Sequence, residues 1–110
     1  MAKNRVGAIA LGSINSATFT GNYQALYTGI PEACFLIRIV NASNRDITIS
    51  YDGTTDHDYL QDGDTLQLPL QANNQPRGHI SLLGEGTHIY VKGTAGTGYI
   101  YFAGYYAMKD

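Results

Sequence analysis

No stretch of this chain keeps a 3.6-residue apolar repeat over ten positions; short apolar runs recur instead, roughly every ten residues, most of them closed by Gly, Asn or Asp. That rhythm leaves little room for anything but short β-strands joined by tight turns. The runs are VGAIAL (6–11), SATFTG (16–21), YQALYT (23–28), CFLIRIVN (34–41), ITISYD (47–52), TLQLPL (65–70), HISLL (79–83), HIYVKG (88–93) and YIYFAGYYAM (99–108). Thirteen glycines and nine tyrosines among 110 residues suit the same architecture. The expected fold is all-β: one β-sandwich domain, jelly-roll-like, of about eight strands. Residues 1–15 are expected to form an N-terminal arm or first strand, and residues 16–110 the sandwich.

Side-chain alternation assigns faces. CFLIRIVN reads as the central strand, with Phe35, Ile37 and Ile39 on one face and Leu36 and Val40 flanking Arg38 on the other. In ITISYD, Ile47, Ile49 and Tyr51 are expected inward, Thr48 and Ser50 outward. TLQLPL puts Leu66, Leu68 and Leu70 on one face, and Pro69 makes it an edge strand or a strand end. HIYVKG and YIYFAGYYAM, joined by GTAGTG, read as a hairpin. In the last run Ile100, Phe102 and Tyr106 share one face, and Tyr99, Tyr101 and Tyr105 the other. The tyrosine row admits three readings: core packing on both sides, a contact face for a neighbouring subunit, or a sugar-stacking platform.

Charge and composition narrow the function. The net charge is −2, and the seven basic residues are scattered, which is a poor footprint for nucleic acid. No run approaches the ~18 apolar residues of a membrane span, and no secretory signal is evident. The single cysteine, Cys34, sits in an apolar run and reads as a buried core residue. These features point to a protein made in a reducing compartment, with a weakly charged surface suited to assembly.

The stretch YDGTTDHDYLQDGD (51–64) holds five of the nine acidic residues, with His57 among them. Its spacing does not fit an EF-hand loop, and His79 and His88 lie on separate runs, so no metal site is expected. Asp56 and Asp58 share one side of an extended segment, but a glycosidase pair needs a buried cleft. Asp52-Gly53 and Asp62-Gly63 are turn dipeptides, so the block reads as turn, short strand (58–60), turn. No serine has nucleophile-elbow context, and GTAGTG lacks the ending of a phosphate loop. Neither a catalytic set nor a cofactor-binding pattern is present.

Together, VNASNRDITIS, ISYDGTTDHDYLQDGDTLQL and GEGTHIYVKGTAGTGYIYFAGYYA resemble a group of small tailed-phage virion proteins with N-x-S-N-x-D-I-x-I-S-x-D-G-x-x-D-H-D followed by K-G-T-A-G-T-G. The resemblance covers about residues 34–107. It implies a non-enzymatic structural protein of the virion, made in the host cytoplasm, most plausibly a capsid cement or decoration protein. Such a protein self-associates, as a dimer or trimer, and binds the major capsid protein. Neck, tail or fibre-base proteins carry the same marks. A carbohydrate-binding module using Asp56, Asp58 and Asn74 is the alternative of another class. The expected contact residues are Val6, Ile9 and Leu11 of the N-terminal segment, Tyr99, Tyr101 and Tyr105, and Asp56, His57 and Asp58.

Overall fold

The computed structural model describes residues 5–69 and 84–108. The described chain forms nine strands: β1 (Arg5–Ala8), β2 (Gly12–Asn15), β3 (Gln24–Tyr27), β4 (Leu36–Asn41), β5 (Ile47–Ser50), β6 (Asp58–Leu60), β7 (Thr65–Pro69), β8 (Ile89–Gly93) and β9 (Tyr99–Met108). The expected strand HISLL, with Leu70, Asn74 and His79, lies outside the described residues.

Two antiparallel sheets pack face to face. Sheet A has the order β1-β9-β4-β7, with β2 also paired to β9, and sheet B the order β3-β8-β5-β6. β1 and β2 run along successive halves of β9, Val6 opposite Ala107 and Ser13 opposite Tyr101, so they act as one interrupted first strand. Eight strand positions then remain, and first pairs with last, second with seventh, third with sixth, and fourth with fifth. This is the jelly roll, a long antiparallel ribbon folded over on itself.

The core lies between the sheets and follows the parity of the strands. Ile37 and Ile39 of β4, Ile47 and Ile49 of β5, Ile89 and Val91 of β8, and Ile100 and Phe102 of β9 are all buried. Each such side chain contributes about 1.5–3 kcal/mol on leaving water. Tyr27 closes over Phe102, with ring centroids 5.2 Å apart. β7 is an edge strand of sheet A among the described residues, as Pro69 requires.

Three expectations need correction. SATFTG is not a strand: the strand ends at Asn15, whose side chain accepts from the Ala17 N–H and starts a single 3₁₀ turn over Ser16–Thr18. Ser50, expected to be exposed on the outer face, is fully buried, because the turn that follows folds over its hydroxyl. β8 and β9 are not a hairpin; β8 pairs with β3 and β5, while β9 pairs with β1, β2 and β4. A glycine-rich link between two strands is a hairpin only if both stay in one sheet, and GTAGTG carries the chain from one sheet to the other. Gly98 there has φ +106°, and a Cβ at this position would run into the Ala42 carbonyl.

The ribbon changes sheets three times, and cross-links bind its two strands at each change. Ser16 donates from both its N–H and its hydroxyl to Gly98 O, at 2.9 and 2.7 Å. Ile30 N–H donates to Thr87 O and Gly86 N–H to Ile30 O, at 3.0 and 2.8 Å. The third crossing is built on Asn41, the buried last residue of β4. Its backbone N–H donates to Asp64 O and its carbonyl accepts from Gly63, both at 2.9 Å. Its side-chain NH₂ donates to the carbonyls of Arg45, Gln61 and Leu60 at 2.7, 3.1 and 3.3 Å. Its side-chain oxygen accepts from the Ser43 N–H and hydroxyl at 3.1 and 2.6 Å.

Replacing Asn41 by Ala therefore strands several buried donors and acceptors at once. Thermal denaturation of Asn41→Ala is expected to show a loss of about 2–4 kcal/mol. Arg38→Ala, at an exposed position on the same strand, is expected to change stability by less than about 0.5 kcal/mol.

Candidate functional site

Two surfaces carry the residues singled out by the sequence, and they lie on opposite sides of the sandwich. The first is the acidic connection between β5 and β6, the tip of the folded ribbon. Ser50 Oγ accepts from the Asp52 and Gly53 N–H groups at 3.2 and 2.9 Å, and donates to Asp52 Oδ1 at 2.8 Å. Asp52 Oδ1 in turn accepts from the Thr54 and Thr55 N–H groups, both at 2.8 Å. Gly53 takes φ +84° beside the Tyr90 ring. The N–H groups of Thr55 and Thr54, with the Ser50 hydroxyl, hold the Asp52 carboxyl far below the usual carboxylate range.

The other polar groups of the stretch are engaged in the same way. His57 Nδ1 accepts from the Tyr51 N–H at 3.0 Å, which puts the proton of the neutral ring on Nε2. Tyr51 donates to Asp58 Oδ2 at 2.9 Å; burial, then this carboxylate, push its phenol well above the usual range. Asp56 accepts from the Tyr23 hydroxyl and from Lys92 Nζ, at 3.1 Å for the lysine, and Lys92 lies 4.6 Å from the centre of the Tyr23 ring. Tyr23, then Lys92, lower the Asp56 carboxyl, while burial and Asp56 push the Tyr23 phenol up to about 12. Asp46 accepts from the Tyr59 hydroxyl at 2.6 Å and from the Asp62 N–H at 2.9 Å, and both lower its carboxyl.

Chemically this is a hydrogen-bonded scaffold. A general acid needs a carboxyl raised toward neutrality, and Asp46, Asp52 and Asp56 all move the opposite way. Among the described residues no group of three or more His, Cys, Asp or Glu side chains is placed to hold a metal ion. On the outer side of sheet B, Thr48, Asp56, His57, Asp58 and Tyr59 line an open depression of about 350 Å³. Cys34 is fully buried, its thiol 3.4 Å from the Glu32 carbonyl and pushed up by burial, then by Glu32.

The second surface is the outer face of sheet A. Strand parity places Tyr99, Tyr101, Ala103 and Tyr105 there, opposite the buried Ile100 and Phe102. Register then sets Ser13 and Val40 beside Tyr101, Arg38 beside Ala103, and Ala8 and Leu36 beside Tyr105. Tyr99 and Tyr101 stack at 6.1 Å between centroids, and Tyr99 is 44 % exposed. Among the described residues the core takes in the inner face of β9, and Tyr101 and Tyr105 on the other face are half-buried. In the N-terminal segment Val6 and Leu11 are 65 % and 63 % exposed, whereas Ile9, at 8 %, belongs to the core and offers no surface to a neighbour. Sequence reasoning missed Arg38 as a member of this face and Tyr23 and Lys92 as partners of Asp56. The parity of CFLIRIVN signalled the first; nothing local signals the other two.

Two pH effects follow. The lowered Asp46, Asp52 and Asp56 stabilise the fold above the unfolded carboxylate value, near ~3.9, and that stabilisation is lost as pH falls through their lower folded values. Melting temperature is therefore expected to decline below about pH 4, and less steeply in Asp52→Asn, which keeps an acceptor but does not titrate. At the alkaline end the raised Tyr23 and Tyr51 stabilise the fold below the unfolded tyrosine value of ~10, an effect lost as pH rises toward about 12. In a phenolate absorbance titration both should ionise late, and Tyr51→Phe should shrink the late phase.

No family model matches this chain, and no curated protein matches it either. Among solved structures it is similar to the Dit protein of SPP1, described as a paradigm of the hub adsorption apparatus in phages infecting Gram-positive hosts, at 10 % identity and a TM-score of 0.44. The similarity covers 96 % of this chain and 57 % of that one, so this chain spans little more than half of its length, and a likeness so distant does not bear on function.

Proposed function

We propose that this chain is a non-enzymatic structural protein of a tailed-phage particle, of the capsid cement or decoration type, which self-associates and binds the major capsid protein. The observation that carries the reading is the division of labour between the two surfaces. The acidic pattern that underlies the resemblance to small virion proteins is spent on holding turns in place. What remains available to a partner is the outer face of sheet A, with Tyr99, Tyr101, Tyr105, Leu36, Val40 and the exposed Val6. Tyrosine and arginine on a weakly charged sheet face suit contact between proteins. The ionised, hydrogen-bonded carboxylates support the absence of acid–base catalysis. A neck, tail or fibre-base position would use the same face, and copy number in the particle separates these locations.

The test is mass spectrometry of purified particles. The protein is expected in intact particles at a copy number comparable to that of the shell subunits; a copy number matching one ring would move it to the neck or tail, and its absence would overturn the reading. Tyr99→Ala with Tyr101→Ala is expected to lower incorporation at least about tenfold while leaving the melting temperature of the free protein within a few degrees, since neither ring is in the core.

A further inference from the structure

The connection between β5 and β6 is closed by one hydrogen bond unlike its neighbours. His57 Nδ1 accepts from the Tyr51 N–H at 3.0 Å, and the His57 N–H donates to Ile49 O at 2.9 Å. Together they clamp the end of β5 to the start of β6 and close the loop over residues 52–56. The imidazole also lies against the Tyr51 ring, with centroids 5.4 Å apart. The other side-chain acceptors of the tip are hydroxyl and carboxylate oxygens, whose lone pairs persist at every pH above the carboxylate range. An imidazole nitrogen accepts only while it is unprotonated, and histidine is the side chain that gains its second proton between about pH 8 and 5.

Carboxylates dominate the charge around this ring. Asp52 Oδ2 is 4.0 Å from Nε2, and Asp56 and Asp58 flank His57 in the chain. From β8, Lys92 Nζ pairs with Asp56 at 3.1 Å. The phenols of Tyr51 and Tyr59 donate to Asp58 and Asp46 and carry no charge near neutrality. A second proton on His57 therefore meets a carboxylate on the Nε2 side and a donor, the Tyr51 N–H, on the Nδ1 side. Two N–H groups cannot face each other at 3.0 Å, whereas an imidazolium turned toward Asp52 gains a charge-assisted hydrogen bond. The side chain is 36 % exposed, so the ring can take up a proton and turn without the core opening.

We propose that the tip is a pH-sensitive latch with His57 as its sensor: closed on the Tyr51 N–H while the imidazole is neutral, and released, with the ring swung toward Asp52, once Nδ1 takes a proton. The closed latch binds one proton fewer than the released one, so its population falls as pH falls through the histidine range. Two discrete ring positions biased by one proton are what such a switch requires. Release is local. Ile47 and Ile49 stay in the core, Asp52 still holds the Thr54 and Thr55 N–H groups, and the join between Tyr51 and His57 loosens. The latch belongs to the free chain and does not depend on where, or whether, a particle holds it.

Nuclear magnetic resonance on the purified full chain, between about pH 8 and 5, tests it. The Tyr51 amide is expected to shift and to lose at least about tenfold of its protection against solvent exchange, corrected for the intrinsic rate, with the same midpoint as the His57 ring signals. The amides of sheet A are expected to keep theirs. His57→Asn supplies an acceptor that does not titrate and is expected to keep Tyr51 protected at both ends of the range; His57→Ala is expected to leave it unprotected at both. Asp52→Asn removes the charge that receives the ring and is expected to move the midpoint to lower pH. A His57 ring that does not titrate in this range, a Tyr51 amide that keeps its shift and protection while the ring titrates, or a His57→Asn variant with the wild-type response overturns the proposal. The wild-type titration needs no variant, so it decides even where a substitution disturbs the fold.

Discussion

Everything in this fold depends on a polar residue buried where a ribbon turns a corner. β4 and β7 run side by side in sheet A, and their continuations β5 and β6 run side by side in sheet B. Between the sheets both strands lose ladder partners together, and their backbone groups are left buried near the core. Asn41 supplies what the ladder no longer can: its side chain bonds to Ser43 and Arg45 in the turn ahead and to Leu60 and Gln61 at the end of the opposite strand, with every buried side-chain polar atom of the described residues satisfied. A hydrophobic residue there would pack, but it would leave several carbonyls and amides without partners.

The same logic extends along the pattern that makes this chain resemble virion proteins. Asn41 and Ser43 hold the crossing, and the Asn44 side chain accepts from the Thr97 N–H at 2.8 Å, tying the turn to the glycine-rich link. Asp46 anchors β6 through Tyr59 and Asp62, Ile47 and Ile49 fill the core, and Ser50, Asp52 and Gly53 shape the tip. His57 and Asp58 return the chain to β5 through Tyr51. A run of Asp and His that looks like chemistry on paper is a set of acceptors for backbone and phenol donors. Hydrogen bonds are the largest cause of its lowered carboxyls.

What the sequence made legible was local. Alternation found β9, and the Asp-Gly turns bracketed β6 between 58 and 60, because both signals come from neighbouring residues. The faces of β4 and β9 followed from parity alone. What stayed hidden was non-local. GTAGTG looks the same whether it reverses a strand within a sheet or carries it to the other one, and only the pairing of β8 with β3 and β5 decides. SATFTG alternates, yet Asn15 caps a turn there. Parity puts Ser50 on the outer face, yet the next turn folds over its hydroxyl and buries it. Asn41 could have been found: it continues the inward parity of Ile37 and Ile39, where a polar side chain must have partners, and Ser43 stands two residues on.

The pairing of the first strand with the last sets the order in which this molecule can be completed. β1 and β2 are hydrogen-bonded to β9, and β4 has β9 on one of its two sides. As the chain leaves the ribosome, β1 and β2 emerge without the partner they need, and they wait until all the strands between them and β9 have been synthesised. Folding is therefore a late, concerted event dominated by contacts between distant residues, in the slow class of β topologies. During that wait the edges of β1 and β2 stay open, with the exposed Val6 on β1 and the exposed Leu11 between the two strands, so yield in a crowded cell will depend on how quickly Tyr99–Met108 arrives to pair with them.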